Sequence, residues 1–358
     1  MENSCRLCGN DLLSDPILKL NGMPKAAQHY PEKKEFNEDK GIKLNIYQCS
    51  SCSLVQLIIE PVDYYKEVIT AATLSEKSRA SRLSQMIELS ERFNLKGKKI
   101  LDVGAAKGEM LDVLEEAGFE AYGIEASDSS VTQGLKAGRN MIHAFIGDIE
   151  NIPNAPFDAF ISLNFLEHIP QPGNVIKTLY NNTSDRATGF LTVPNLDYLL
   201  KTNSYYEFVA DHLSYFTQDT IRFAFESNGF NVLDCSIINQ ENDIAVTVQK
   251  REYLNINKGL EEVEDLKNHL QTIVSDYSDS GRKIAIWGAG HRTLALLALS
   301  NLDTIEYIVD SAQFKQGKFS PVMHTPIVSP ETLKNKPVDL LIIMVPGLYP
   351  DEVRKTVI

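Results

Sequence analysis

Apolar residues enter this chain in short bursts whose period switches between strand-like and helix-like. Lys99–Val103 is a compact apolar run followed at once by a glycine turn, which predicts a buried strand. Glu109–Ala117 predicts a helix, Glu120–Ile124 a strand and Ser129–Ala137 a helix. The alternation continues with a strand at Phe157–Leu163, a helix at Val175–Asn182, a strand at Gly189–Val193 and a helix at Gln218–Ser227. Two further strands are expected at Val232–Ile238 and Ile244–Gln249. Leu83–Phe93 reads as an amphipathic helix leading into this series. Such alternation predicts a mostly parallel sheet covered by helices.

The flanks differ. From Met1 to about Ser84 the chain is polar and turn-rich, punctuated by Pro16, Pro24, Pro31 and Pro61. Tyr253–Ser280 is charged, with Leu260, Val263, Leu266 and Leu270 at helical spacing, and reads as a linker helix. A second β/α unit follows: strand Lys283–Trp287, turn Gly288–Gly290, helix His291–Ser300, strand Ile305–Val309 and strand Leu340–Val345. The chain closes at Val357-Ile358 soon after a helix begins, so a last strand of this unit is expected outside it. The expected domains are 1–84, 85–252 and 253–358, with no internal repeat or low-complexity tract.

Composition narrows the function classes. Among 358 residues, 35 Lys and Arg stand against 48 Asp and Glu, a formal charge of −13. A nucleic-acid or anionic-membrane partner requires a cationic face, so neither is expected. No apolar run reaches the roughly 18 residues a membrane span requires. The first ten residues hold two cysteines and no apolar core, which does not read as a signal peptide. The expected compartment is therefore the cytoplasm, where thiols stay reduced.

Four of the five cysteines form two pairs of equal spacing, Cys5/Cys8 and Cys49/Cys52. Each CxxC turn puts two sulfurs on one side of a tight knuckle, and two knuckles complete a tetrahedral sulfur set with no open position. A structural zinc ion is expected there. Cys235 lies in an apolar strand and reads as a packing residue.

The strand at 99–103 ends in Asp102-Val103-Gly104-Ala105-Ala106-Lys107-Gly108. Gly104 lets the backbone turn, Gly108 opens a helix, and Glu125 closes the next strand 21 positions after Gly104, where a carboxylate can accept from both ribose hydroxyls. The pattern suits an adenosine cofactor, either NAD or S-adenosylmethionine (SAM). Asp102 two residues before the glycine, and Ala106 where a dinucleotide loop usually has glycine, favour SAM. Asp148 falls where a carboxylate can meet the adenine amine. The stretch from Phe157 through Asn164 to Leu166-Glu167-His168 resembles the fourth strand and "LEH" turn of class I SAM-dependent methyltransferases. Glu167 and His168 themselves read as turn and helix-start residues. Asn164 joins the cofactor set with Asp102, Gly104, Gly108, Glu125 and Asp148.

A third constellation is Val209-Ala210-Asp211-His212-Leu213-Ser214-Tyr215-Phe216. Imidazole titrates near 6.5, so His212 can take a proton at neutral pH; equally, it can bond to backbone and fix the loop. The four cysteines, the SAM-type loop, this "EHLSYFS"-like stretch and the C-terminal run Tyr307–Lys318 together resemble the sugar C-methyltransferases over nearly the whole chain. The resemblance implies a class I SAM methyltransferase sheet with a small N-terminal zinc module and a C-terminal Rossmann-like α/β domain. It implies methylation of a nucleotide-linked keto-deoxysugar at the carbon beside the ketone, with His212 as base and Asp211 in place of the family's Glu. Tyr65 and Tyr215 are the acceptor-lining candidates. The chain departs from the family at Val209, usually Tyr, at Ala106-Lys107, and at Glu241-Asn242-Asp243, usually a Gly-Gly-Ser-like turn. An oxygen acceptor is the neighbouring alternative.

Gly288-Ala289-Gly290-His291-Arg292, with Asp310 twenty residues past Gly290, resembles a dinucleotide fingerprint. It reads either as a packing turn or as a loop in which Gly288, Gly290 and Arg292 hold the substrate's diphosphate. An NAD-dependent oxidoreductase using that loop and a non-catalytic binding protein are the alternatives of other classes.

Overall fold

In the computed structural model the described residues are 4–27, 30–66 and 75–357. They fall into two compact units, Met1–Glu252 and Tyr253–Ile358.

The first unit begins with strands β1 (Leu18–Met23), β2 (Ile42–Gln48) and β3 (Val55–Leu57), then helix α1 (Glu76–Arg92). Next come β4 (Lys99–Val103), α2 (Glu109–Glu116), β5 (Glu120–Glu125), α3 (Asp128–Lys136), β6 (Met141–His143), β7 (Phe157–Leu163) and α4 (Pro172–Asn181). The unit ends with β8 (Thr183–Pro194), α5 (Leu196–Lys201), β9 (Ser214–Tyr215), α6 (Gln218–Glu226), β10 (Phe230–Ile238) and β11 (Asp243–Lys250).

Seven strands form the main sheet in the order β10-β11-β8-β7-β4-β5-β6. β11 is its one reversed strand, antiparallel to both β8 and β10, and the remaining pairs are parallel. Both faces are covered, so the central strands are apolar on each side. Along β4, Leu101 and Val103 enter one core with Phe160 and Leu191, and Ile100 enters the opposite core with Met86 of α1 and Leu111 of α2. Side chains two apart share a face. Asp102 therefore lies on the α1 side of β4.

The sequence pattern marks most of these elements to within a few residues. α1 starts seven residues before the expected Leu83, because Ser75 caps it: its hydroxyl accepts from the Ser78 amide at 3.2 Å. That first stretch is polar and carries no apolar stripe. β8 likewise runs back to Thr183. The N-terminal segment forms a sheet of its own, β1-β2-β3-β9. Its last strand comes from far along the chain, with Val55 opposite Tyr215 and Gln56 opposite Ser214.

The second unit opens with α7 (Asn257–Asp279), followed by β12 (Ile284–Trp287), α8 (His291–Ser300), β13 (Tyr307–Val309), β14 (Ile327–Val328), α9 (Thr332–Asn335), β15 (Leu340–Ile343) and α10 (Tyr349–Val357). Its sheet, β14-β13-β12-β15, is parallel throughout. Leu270 and Val274 of α7 pack in this unit's core, whereas Leu260, Val263 and Leu266 are exposed. The helix therefore belongs to the second unit over its C-terminal half. No helix among the described residues is long and apolar enough to cross a membrane.

Candidate active site

β4 stops at Val103 and the chain turns through Gly104 at φ +78°. A Cβ there would lie 2.7 Å from the Phe165 ring, so both conformation and space require glycine. Glu125, at the end of β5, is buried and braces this loop. One carboxylate oxygen accepts from the Ala106 amide at 3.0 Å, the other from the Ser127 amide at 2.8 Å. Gly104, Ala106 and Glu125 form one wall of a cavity of about 370 Å³, within the range that holds a small organic ligand. Glu167, His168 and His212 stand in the same cavity's lining.

The cofactor-side residues expected from the sequence divide in two. Gly104, Glu125 and Asn164 line the cavity; Asp102, Gly108 and Asp148 do not. Asp102 is buried under α1, and burial, with the Glu125 charge beside it, pushes its carboxyl up to about 7; Arg82 of α1 acts the other way. Asp148 is exposed and pairs with Lys66 at 2.5 Å, and it is Lys66 that reaches the lining. Asn164 accepts from the Thr192 hydroxyl at 2.7 Å.

The imidazoles come from two loops beyond the sheet. Leu166–His168 is a single 3-10 turn after β7. His168 Nδ1 lies 2.8 Å from the carbonyl oxygen of Asp211. A carbonyl only accepts, so Nδ1 carries the proton. Burial lowers the His168 pKa, which keeps the ring neutral and leaves Nε2 a bare lone pair. His212 packs edge-on against it, centroids 4.7 Å apart, and burial followed by its neighbour pushes His212 down to about 3. Glu167 is 2% exposed, its carboxyl pushed up to about 8 by burial. Its Oε2 has no hydrogen-bond partner among the described residues.

Two of the expected residues already have partners. The Asp211 carboxylate holds the Tyr64 hydroxyl at 2.6 Å and the Ala27 amide at 2.7 Å, so it ties down N-terminal chain segments. The Tyr215 hydroxyl is engaged by Val209, whose amide donates to it at 2.9 Å. Tyr65 lines the cavity edge-on to Phe145. Glu167 and His168, read from sequence as turn residues, do form the turn, and they also face the cavity. The signal was the His168–His212 pair, which no spacing reveals.

Residues 76–234 match the family described as methyltransferase domain, and residues 235–356 match the family described as C-methyltransferase C-terminal domain. The chain is a SAM-dependent methyltransferase. The C-methyltransferase NovU of Streptomyces niveus is 24% identical across 92% of this chain and 86% of its own length. The ubiquinone biosynthesis O-methyltransferase of Pseudomonas fluorescens Pf0-1 is 29% identical over 30% of this chain and 49% of its own length. Magnesium protoporphyrin IX methyltransferase of Synechocystis PCC 6803 aligns over 52% of this chain and 93% of its own, with a TM-score of 0.41 and 16% identity.

In this methyltransferase the sulfurs of Cys5, Cys8, Cys49 and Cys52 all lie within 4.8 Å of one another. The pairs Cys5–Cys52 and Cys8–Cys49 stand at 3.6 and 3.5 Å, and none is bonded. A tetrahedral zinc with sulfur at about 2.3 Å sets sulfur–sulfur edges of about 3.8 Å, so the set fits that ion. Arg6, between the first two cysteines, donates to the carbonyls of Leu57, Ile59 and Pro170. The second unit carries Gly288 and Gly290 at the start of α8, with Arg292 exposed in its first turn. Its Asp310 is already engaged: one oxygen takes the Ala289 amide at 2.8 Å and Lys315 at 2.9 Å, the other the Ala312 amide at 2.9 Å.

Proposed function

We propose that this enzyme methylates a nucleotide-linked keto sugar at the carbon beside the ketone, with His212 as general base. The observation that carries the reading is the shared cavity: the Gly104–Glu125 wall on one side and two neutral imidazoles on the other. Gly104 and Glu125 would hold the nucleoside of SAM, which supplies a methyl group already activated on a sulfonium. The chain's own task is then to make a carbon nucleophile and hold it in place. His212, uncharged and with no hydrogen-bond partner on either ring nitrogen among the described residues, takes the proton from the carbon next to the ketone. His168, its Nδ1 proton fixed on the Asp211 carbonyl, presents Nε2 as a hydrogen-bond acceptor beside it. The cysteine set would hold a structural zinc, since it leaves no position for substrate. A nicotinamide reading gains no support from the second unit, because Lys315 already neutralises Asp310.

The test is incubation with methyl-labelled SAM and a panel of keto and non-keto nucleotide sugars, with product analysis by NMR to separate carbon-bound from oxygen-bound methyl. His212→Asn should lower transfer at least 100-fold while SAM affinity stays within about threefold. Retained turnover would return His212 to a loop-positioning role, and label on oxygen would move the acceptor from carbon to hydroxyl.

A further inference from the structure

The turn after β7 and the segment before β9 bring three metal-capable side chains together. Glu167, His168 and His212 each offer one donor atom, and these atoms lie within 4.8 Å of one another. All three residues line the cavity walled by Gly104 and Glu125. Glu167 Oε1 stands 3.9 Å from His168 Nε2, too far for a hydrogen bond. Metal–ligand bonds of about 2.1 Å set edges of about 3.0–3.4 Å between two ligands of one ion. A shift of about half an ångström at the Glu167 carboxylate therefore brings this edge to ligand spacing.

The surroundings suit a ligand set. His168 Nδ1 donates to the Asp211 carbonyl at 2.8 Å, which fixes the ring and leaves Nε2 bare. Metal-binding histidines commonly give their other ring proton to such a carbonyl. Asp211 is itself anchored through its carboxylate to Tyr64 and Ala27. Glu167 is 2% exposed, and its Oε2 has no hydrogen-bond partner among the described residues. A buried carboxylate oxygen without a donor costs free energy until something pairs with it. Acceptor atoms from three side chains thus converge on one point, and a cation relieves that arrangement. Lys66 is the only Lys or Arg in the cavity lining among the described residues, and it is already paired with Asp148. Two imidazole nitrogens and one carboxylate suit Zn²⁺, Co²⁺ or Ni²⁺, whereas Mg²⁺ and Ca²⁺ prefer all-oxygen sets.

We infer that Glu167, His168 and His212 form a second metal site, separate from the cysteine set, which takes a divalent transition ion and whose occupation blocks methyl transfer. Binding stands on the geometry alone. The block rests on the reading of His212 as the base: a ring nitrogen bonded to a metal has no lone pair left for a proton from carbon.

The test takes the full chain with zinc loaded on its cysteines and titrates it with Co²⁺, read by absorption and calorimetry. A single further equivalent should bind, with the weak visible bands of nitrogen and oxygen ligands and no sulfur-to-cobalt charge-transfer band. Even changes outside the ligand set commonly cost about 10–100-fold in metal affinity. Glu167→Gln and His168→Gln should therefore each weaken Co²⁺ at least tenfold, with an unchanged far-ultraviolet dichroism spectrum to show that the fold is intact. Excess Mg²⁺ should leave Co²⁺ binding unaltered. Saturating Zn²⁺ should slow methyl transfer at least tenfold, and a chelator that leaves the cysteine-bound zinc in place should restore it. No further equivalent, a sulfur-to-cobalt band, equal competition by Mg²⁺, or binding indifferent to both substitutions overturns the site. If Co²⁺ binds and both substitutions release it, yet transfer runs unslowed under saturating metal, the site stands and His212 falls as the base. If no metal binds while His212→Asn abolishes transfer, the base stands and the site falls.

Discussion

Replacing Asp211 separates a tether from a catalytic partner. The carboxylate is 3% exposed and accepts two short bonds, from the Tyr64 hydroxyl at 2.6 Å and the Ala27 amide at 2.7 Å. Hydrogen bonds to a charged group contribute about 1.5–3 kcal/mol each. Tyr64 is half-buried and Ala27 exposed, so water recovers part of the loss, and Asp211→Ala should cost about 3 kcal/mol. Asp211→Asn keeps one acceptor oxygen and should cost about 1–1.5 kcal/mol. Urea unfolding followed by far-UV circular dichroism reads the first unit's transition. The single tryptophan, Trp287, lies in the second unit and serves as an internal control by fluorescence. The substitution should also raise the acceptor KM more than it lowers kcat, because the carboxylate orders the lining and makes no bond to His212. A stability change below 1 kcal/mol, together with a 100-fold fall in kcat, would refute the tether and restore Asp211 as the partner of the base.

Other outcomes follow from single contacts. Glu167 has a folded-state pKa raised to about 8 from 4.5, so the folded chain binds this proton more tightly than the unfolded chain does. Its contribution to stability is therefore greatest below about pH 4.5 and falls as pH rises to about 8; Glu167→Gln should flatten that slope, and an unchanged difference between pH 5 and 8 would exclude it. Gly104→Ala places a methyl 2.7 Å from Phe165 at a left-handed φ; calorimetry should show SAM affinity lowered at least tenfold, and wild-type affinity would mean the loop is free to shift. Purified protein should carry about one zinc by elemental analysis, and Cys8→Ser or Cys49→Ser should remove it; native protein with four titratable thiols and no metal would defeat the zinc assignment.

The sequence made the main sheet legible for a definite reason. β4 and β7 are buried on both faces, so their apolar runs are continuous and their ends sharp. The N-terminal sheet was not legible, because β3 has only three residues and β9 only two, too few to show a period. Its pairing with β3 joins positions far apart in the chain, which no local pattern records. At the site, the spacing from Gly104 to Glu125 carried real information, since a β/α turn fixes where the next strand ends. Asp148 pairs with Lys66, a contact that no local pattern announces. The Lys315–Asp310 contact shows the same limit in the second unit: a fingerprint gives the acid's position and says nothing of what already occupies it.

The cysteine knuckles reach both imidazoles through short mechanical struts. Arg6 grips the carbonyl of Pro170, two residues past His168. β3 pairs with β9, whose first residue lies two past His212. Metal occupancy near the amino terminus should thus be felt as a change in the spacing of the two rings. A chimaera that exchanged only the N-terminal segment between relatives would cut through one sheet and loosen the very side chains it was meant to leave alone.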